Sequence, residues 1–381
     1  MTNEQQFIIS LLRKSLNTDG LMQIDYSIDE NITTRLILRN GLLLTVYPAL
    51  SASEKTLHLK ESLQKKYLLM VSQAVNQNYE GKRVLNELSD AGFDCIALKG
   101  WELRNLYPKA GMRQMVDVDI LVRPYDFHRI KEMMMGIGFS CGRESSWKHD
   151  SFTKGNVHIE MHKRLTDDSG EIYRWEKEMW SRAVQDCGSI YKMTIEDYYI
   201  FHFIHLHKDF MNGSLGLRRI VDTWLLMKQP KNEEFIRNEL AKFGLVEFQD
   251  RVQRLSNVVM GMEEPDENSE ILLNHAFKYG IYGREKSYKA GRIAAMSRNG
   301  NLRVGKFKSW FSAIFLPVER MKAQFPVVGK WPVLLPYYWI KRIVQLVRSN
   351  DLSKKINMLD YKEVNEEDYL EMKRFFKAGG V

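Results

Sequence analysis

Two aspartates, Asp117 and Asp119, stand one residue apart in a stretch where Val116, Val118, Ile120 and Val122 alternate with them. This period of two predicts a half-buried β-strand. Successive strand side chains point to opposite faces, so both carboxylates share one face, about 7 Å apart along the backbone. Strands usually avoid aspartate, so two on one face need a reason. Carboxylates held side by side repel unless a proton or cation lies between them, and a hard divalent cation with oxygen ligands suits that place. A second stretch, Val157-His158-Ile159-Glu160-Met161-His162, repeats the alternation. If the two strands pair, Glu160 becomes a third carboxylate. Such a site holds Mg²⁺ or Mn²⁺ on triphosphate oxygens, with Glu160 as ligand, as base for an acceptor hydroxyl, or as both. His162, on the face of Glu160, is a candidate for assisting metal binding or proton transfer, or for hydrogen-bonding a carboxylate.

Ahead of these strands, Asp94 to Lys99 reads as the first core strand and Trp101 to Tyr107 as the start of a helix. Gly100 between them lets the chain turn closely past a ligand, and the backbone N–H groups that follow are placed to cradle phosphate. Lys99 is a candidate triphosphate contact. Arg113 brings a fork of five donors, suited to gripping phosphate or to bracing Asp117 or Asp119.

From Leu98-Lys99-Gly100 through Arg113 and Asp117-x-Asp119 to Glu160-x-His162, the chain resembles the uncharacterised nucleotidyltransferase family of the DNA-polymerase-β-like superfamily. That superfamily uses a Gly-containing turn, a D-x-D/E pair on a strand and a third carboxylate on a neighbouring strand. His205-x-x-Lys208 and Gly216-Leu217-Arg218-x-x-x-Asp222 look like the family's second block, and the resemblance spans roughly residues 90 to 345. It implies transfer of a nucleoside monophosphate from an NTP, with ATP the default, to a hydroxyl or phosphate acceptor, releasing pyrophosphate. Asp117, Asp119 and Glu160 are then the catalytic and metal-holding residues, and Lys99, Gly100, Arg113, Lys208 and Arg218 the nucleotide contacts. Two departures stand out. The usual Gly-Ser turn is Lys99-Gly100, which removes a hydroxyl contact to phosphate, and Asp209 replaces the second histidine of an H-x-x-K-H stretch. Arg218 and Asp222, four apart on a helix, equally suit a local ion pair.

The elements that position these groups read as an α+β protein: a small mixed β-sheet core between helical regions. Residues 1–92 form an N-terminal helical region, 93–170 the catalytic core, 171–265 a helical region completing the nucleotide site, and 266–381 a basic, aromatic-rich helical region. Ser51-Ala52-Ser53-Glu54 has capping-box spacing and opens a long helix. Phe127 to Met135 reads as a helix and 139–156 as two short strands with a loop, His149 lying at the nucleotide pocket or the surface. His202, His205 and His207 invite zinc but lack the third-ligand context. The tail is acidic, helical around Glu366 to Phe376, and expected to fray at Gly379-Gly380.

Composition is that of an ordinary globular protein, 44% hydrophobic and 27% charged. Three cysteines without C-x-x-C spacing are expected to make no disulfide framework. The opening Met-Thr-Asn-Glu-Gln-Gln has no basic region followed by an apolar core, so no secretory signal is expected, and no apolar run reaches membrane-spanning length. A cytoplasmic protein is expected, with peripheral contact at the inner membrane surface open to it. Between Ile281 and Arg348, fourteen Lys and Arg face only Glu285 and Glu319, interleaved with aromatic residues. This stretch suits substrate steering, an acidic membrane surface, nucleic acid, or a plain helical domain with an aromatic core. The expected partners are a nucleotide and an acceptor of unidentified class, with a small molecule, peptide or glycan foremost. A GT-A-like glycosyltransferase also uses D-x-D, but about a hundred helical residues precede the first strand here, unlike its doubly wound domain. A non-catalytic scaffold that binds a partner or membrane through its basic region is the alternative from another class.

Overall fold

The computed structural model describes all residues except 18–26, 53–55, 143–147, 167–169, 282, 284, 298–300, 317 and 349–360. Helices α1 (Asn3–Ser15), α2 (Glu30–Arg39), α3 (Leu43–Val46) and the 34-residue α4 (Leu57–Asp90) build the N-terminal region. Thr2 and Gln5 cap α1 reciprocally, and Phe7, Ile8, Leu11 and Leu12 are wholly buried. The capping box expected at Ser51–Glu54 falls in part on residues outside those described. Gly92, at φ +75°, turns the chain from α4 towards β1 (Cys95–Ala97).

Then follow α5 (Gly100–Leu103), β2 (Val118–Val122), α6 (Phe127–Gly136), β3 (Ser140–Cys141), β4 (His149–Lys154) and β5 (Val157–His162). After α7 (Glu171–Arg182) come β6 (Val184–Cys187) and β7 (Ile190–Lys192). The fold is α+β, with one mixed sheet in the order β3-β4-β5-β2-β1-β7-β6. β2 runs antiparallel to β1 and parallel to β5. Residues 171–265 read as helical in sequence, yet the β6–β7 hairpin lies within them and extends the sheet, β7 pairing parallel with β1. All four residues of β6 are exposed, so this edge strand has no apolar alternation to reveal it.

Alternation sorts the two faces of the sheet. Val118, Ile120 and Val122 join Ile159 and Met161 in one core with Leu88 of α4 and Ile130 and Met134 of α6. Ile96, Leu98 and Leu121 belong to the larger core on the opposite side. That core is completed by α8 (Ile195–Met211), α9 (Leu217–Met227), α10 (Glu233–Lys242), α11 (Val246–Met260) and α12 (Glu267–Tyr279). Asp119, Glu160 and His162 occupy the strand positions of opposite parity to the α4/α6 core, so they project from the α8 side of the sheet.

The chain closes with α13 (Glu285–Met296), α14 (Leu302–Ile314), α15 (Val318–Gln324), α16 (Pro326–Lys330), α17 (Leu335–Arg348) and α18 (Glu366–Ala378). The expected fraying at the end does not occur. Phe375 stacks against His275 and packs on Phe210, and Gly379 is buried where a Cβ would collide with the Phe210 ring.

Two core histidines make stability sensitive to acid. Burial pushes His202 down to about 3 and His275 down to about 4. The Thr223 hydroxyl donates to the carbonyl of Arg219, so Nε2 of His202 is the donor in its 2.8 Å contact with Thr223, consistent with a neutral ring. Unfolding releases both histidines to take up protons. Their stabilising effect is therefore complete above the unfolded value and is lost as pH falls below it. By pH 5 each costs about 2 kcal/mol. Thermal melts between about pH 7 and about pH 5 should show a falling Tm, with a shallower slope in His202→Gln.

Candidate active site

Asp119 and Glu160 are register partners on the parallel strands β2 and β5. Facing residues of neighbouring strands share a side of the sheet, which brings the two carboxylates together. Nε2 of His162 lies 2.8 Å from Oδ1 of Asp119 and 3.3 Å from Oε2 of Glu160. One ligand atom from each of the three falls within 4.8 Å of the others. Asp117 sits one residue ahead of β2 and is half-buried. Burial and the neighbouring Asp119 charge push its carboxyl above the usual range, so it senses the same cluster.

Charge compensation comes from Lys99, and His162 hydrogen-bonds both carboxylates. Nζ of Lys99 lies 2.6 Å from Oδ1 of Asp119. Burial opposes charge on both, but their attraction prevails: Lys99 is raised, and Asp119, with His162 also donating to it, is held far below the usual carboxylate range. Burial likewise lowers His162, yet its hydrogen bonds to Asp119 and Glu160 outweigh this and raise it. The hydrogen bond from His162 keeps Glu160 low and ionised. Nδ1 of His162 is buried with no hydrogen-bond partner. Two ionised carboxylates with an imidazole beside them, balanced by an ammonium that an ion would relieve, are a donor set that fits a divalent cation.

Lys99 carries the strain of the turn. Its φ of +44° lies in the left-handed region, which costs a side-chain-bearing residue about 1–2 kcal/mol. The Tyr198 hydroxyl donates to its carbonyl, and Leu98 N–H donates to the Asp119 carbonyl at 2.9 Å, holding the turn against β2. Gly100, where sequence places the tight turn, has no positive φ. It is glycine for space: a Cβ there would strike Nη1 of Arg113 and the Met115 side chain.

Arg113 braces neither aspartate of the D-x-D pair. Its Nε and Nη2 donate to the two oxygens of Asp222 at 2.8 and 2.7 Å, and the Tyr107 hydroxyl adds a third bond to the same carboxylate. This buried knot ties the segment before β2 to α9. Asp222 is thus occupied across the fold, while Nη1 of Arg218, its neighbour on α9, donates to the carbonyl of Gln114 at 2.8 Å.

A cavity of about 290 Å³ opens over the cluster, lined by Glu160 and His162 together with Lys99, Lys148, His205 and Lys208. Its volume suits a phosphate chain better than a whole nucleotide, since drug-sized ligands fill about 300–1,000 Å³. Asp209, the departure from the family pattern, accepts from Arg219 at 2.7 Å and lies 3.2 Å from Nδ1 of His205. It therefore orients His205 at the cavity wall. Burial drives His205 down to about 4, so the ring is neutral at physiological pH. Lys148 escaped the sequence reading, its only signal being its place beside His149; Tyr198 carried none. Were the cavity to take the phosphate chain of an NTP, Lys208→Ala should raise the KM for it about tenfold while changing kcat less, measured from initial rates against NTP concentration.

Sequence comparison fits this geometry. Compared with curated proteins and with solved structures, the chain has no significant match. A family model described as "uncharacterised nucleotidyltransferase" matches residues 27–256, well over half of the chain. The match begins in the N-terminal helices, earlier than the motifs alone suggested, and ends before the basic C-terminal region. On that match, with the motif-bearing strands and α8–α9 inside it, the chain belongs to the uncharacterised nucleotidyltransferase family.

Proposed function

We propose that the protein transfers a nucleoside monophosphate from an NTP, ATP by default, to a hydroxyl or phosphate acceptor and releases pyrophosphate. The observation that carries this reading is the Asp119–Glu160 pair, set in register beneath a cavity walled by three lysines. Asp117, Asp119 and Glu160 would hold Mg²⁺ or Mn²⁺, and the bound ion supplies charge neutralisation to the phosphate oxygens. In the transfer, an acceptor oxygen forms a bond to the α-phosphorus as the bond from that phosphorus to the bridging α–β oxygen breaks. Pyrophosphate leaves with the electron pair.

The chain's own residues prepare this step. Glu160, ionised, takes the proton of an acceptor hydroxyl. Lys99, Lys148 and Lys208 counter charge on the phosphate chain and the departing pyrophosphate. Gly100 admits the close approach of Arg113, which fixes the turn from beneath through Asp222. Arg218 steadies the segment leading to Asp117 through Gln114. Small molecules, peptides and glycans are the acceptor classes to search. Residues 281–348 lie outside the matched segment.

The test is incubation with α-labelled or γ-labelled NTPs, Mg²⁺ and cell extract. The expected product keeps the α label, lacks the γ label and is absent with Asp119→Ala. A product carrying only the γ label would refute nucleotidyl transfer. Release of nucleoside diphosphate from a nucleotide sugar would point instead to glycosyl transfer.

A further inference from the structure

Helices α14 and α17 each turn a stripe of apolar residues outward. α14 packs on α13 through small residues: a Cβ on Gly305 would lie 2.7 Å from the Ile293 carbonyl oxygen, and Ser309 is wholly buried. Its opposite side carries Val304, Phe307 and Phe311 at i, i+3 and i+7, all exposed, with Phe307 at 63%. α17 repeats the pattern with Tyr337, Ile340 and Val344, and Ile340 is also 63% exposed. Between the helices, Trp331 and Val333 are 62% and 80% exposed. The sequence-based option of a plain aromatic core therefore fails for these residues. The two helices are one unit, because Phe315 links Phe311 of α14 to Trp339 of α17, and Arg342 donates to the carbonyl of Ile314.

Charge identifies what covers this face. Residues 302–348 contain nine Lys or Arg and one acid, Glu319. Apolar stripes at helical spacing, Trp and Tyr beside them, and cations nearby are the features of helices that lie in the headgroup region of an acidic bilayer. The exposed aliphatic residues, Val304, Val333, Ile340 and Val344, gain by entering the acyl boundary, whereas a nucleic acid would reward only the aromatic rings. No helix among the described residues is long and apolar enough to cross a membrane, so contact through these helices would be along the surface.

We propose that α14–α17 form an interfacial surface that docks the protein on anionic lipid. This goes beyond the transferase reading, and its test needs no catalysis. The full chain is sedimented with phosphatidylcholine vesicles, with or without about one third phosphatidylserine. Wild type should pellet with the acidic vesicles at least about tenfold better than with neutral ones, less so as salt rises from about 50 to about 500 mM. The triple variant Phe307→Ser, Trp331→Ser and Ile340→Ser should lose that binding about tenfold or more while keeping the wild-type circular dichroism melt, since all three side chains are exposed. Lys306→Glu with Lys341→Glu should weaken it as well. Failure of wild type to pellet with acidic vesicles at low salt would overturn the proposal. So would undiminished pelleting of the triple variant, which would mean charge alone suffices. Lipid-independent dimers abolished by the triple variant, with no pelleting of wild type, would reassign the face to a second copy of this chain.

Discussion

Asp119→Asn should lower NTP-dependent pyrophosphate release by at least about a thousandfold, with little loss of folded structure. Asp119 contacts Lys99 and His162 and stands in register with Glu160. The amide preserves shape but removes the charge that compensates Lys99 and would hold a cation. The loss should appear in kcat more than in KM, because the lysines lining the cavity still bind phosphate. Glu160→Gln should be slowed as well, and the two together should be far from additive, as groups acting as a unit are. Pyrophosphate release is followed by a coupled phosphate assay, with a thermal melt to confirm folding. An Asp119→Asn enzyme within a few-fold of wild type would remove the carboxylate cluster from the chemistry.

Asp222→Ala should cost about 3–5 kcal/mol of stability, read as a shift of the urea midpoint. Its carboxylate is wholly buried and satisfies Arg113 twice and Tyr107 once. Removing it leaves a guanidinium in the core with no counter-charge, which is costlier than losing the pair as a whole. Arg113→Met combined with Asp222→Leu should therefore be milder than Asp222→Ala alone. The double variant should still lose activity, because Arg113 also fills the space beside Gly100 and anchors the strained Lys99 turn. Stability recovering without activity is the signature of a positioning role. If the double variant were the less stable of the two, the unpaired charge would not be the cause.

Much of this site was legible before folding. The alternation around Asp117 and Asp119, and again around Glu160 and His162, identifies strands and the face each side chain takes, because strand periodicity is local and the apolar partners need burial. The helices of the N-terminal region and the end of α4 at Gly92 follow from equally local signals. Near-neighbour readings failed where a partner lies far along the chain. Arg113 was expected on phosphate or the adjacent aspartates, but its partner Asp222 is 109 residues away. The close turn was expected at Gly100, but the positive φ belongs to Lys99, held by a hydroxyl from α8.

What the amino-acid order determined by itself is therefore the kinds of side chain and the faces that carry them: paired acids on alternating strands, a cationic turn before them, and a charged, aromatic C-terminal stretch. Only the tertiary structure decided which acid meets which, that Lys99 pairs with Asp119 while His162 bridges Asp119 and Glu160, and that Phe307, Phe311 and Trp331 face outward. The physical reason is that periodicity reports the direction of a side chain. Neighbours across a sheet, or across a helix packed through Gly305 and Ser309, are chosen by topology and by the volume left between elements, and no local window of sequence contains either.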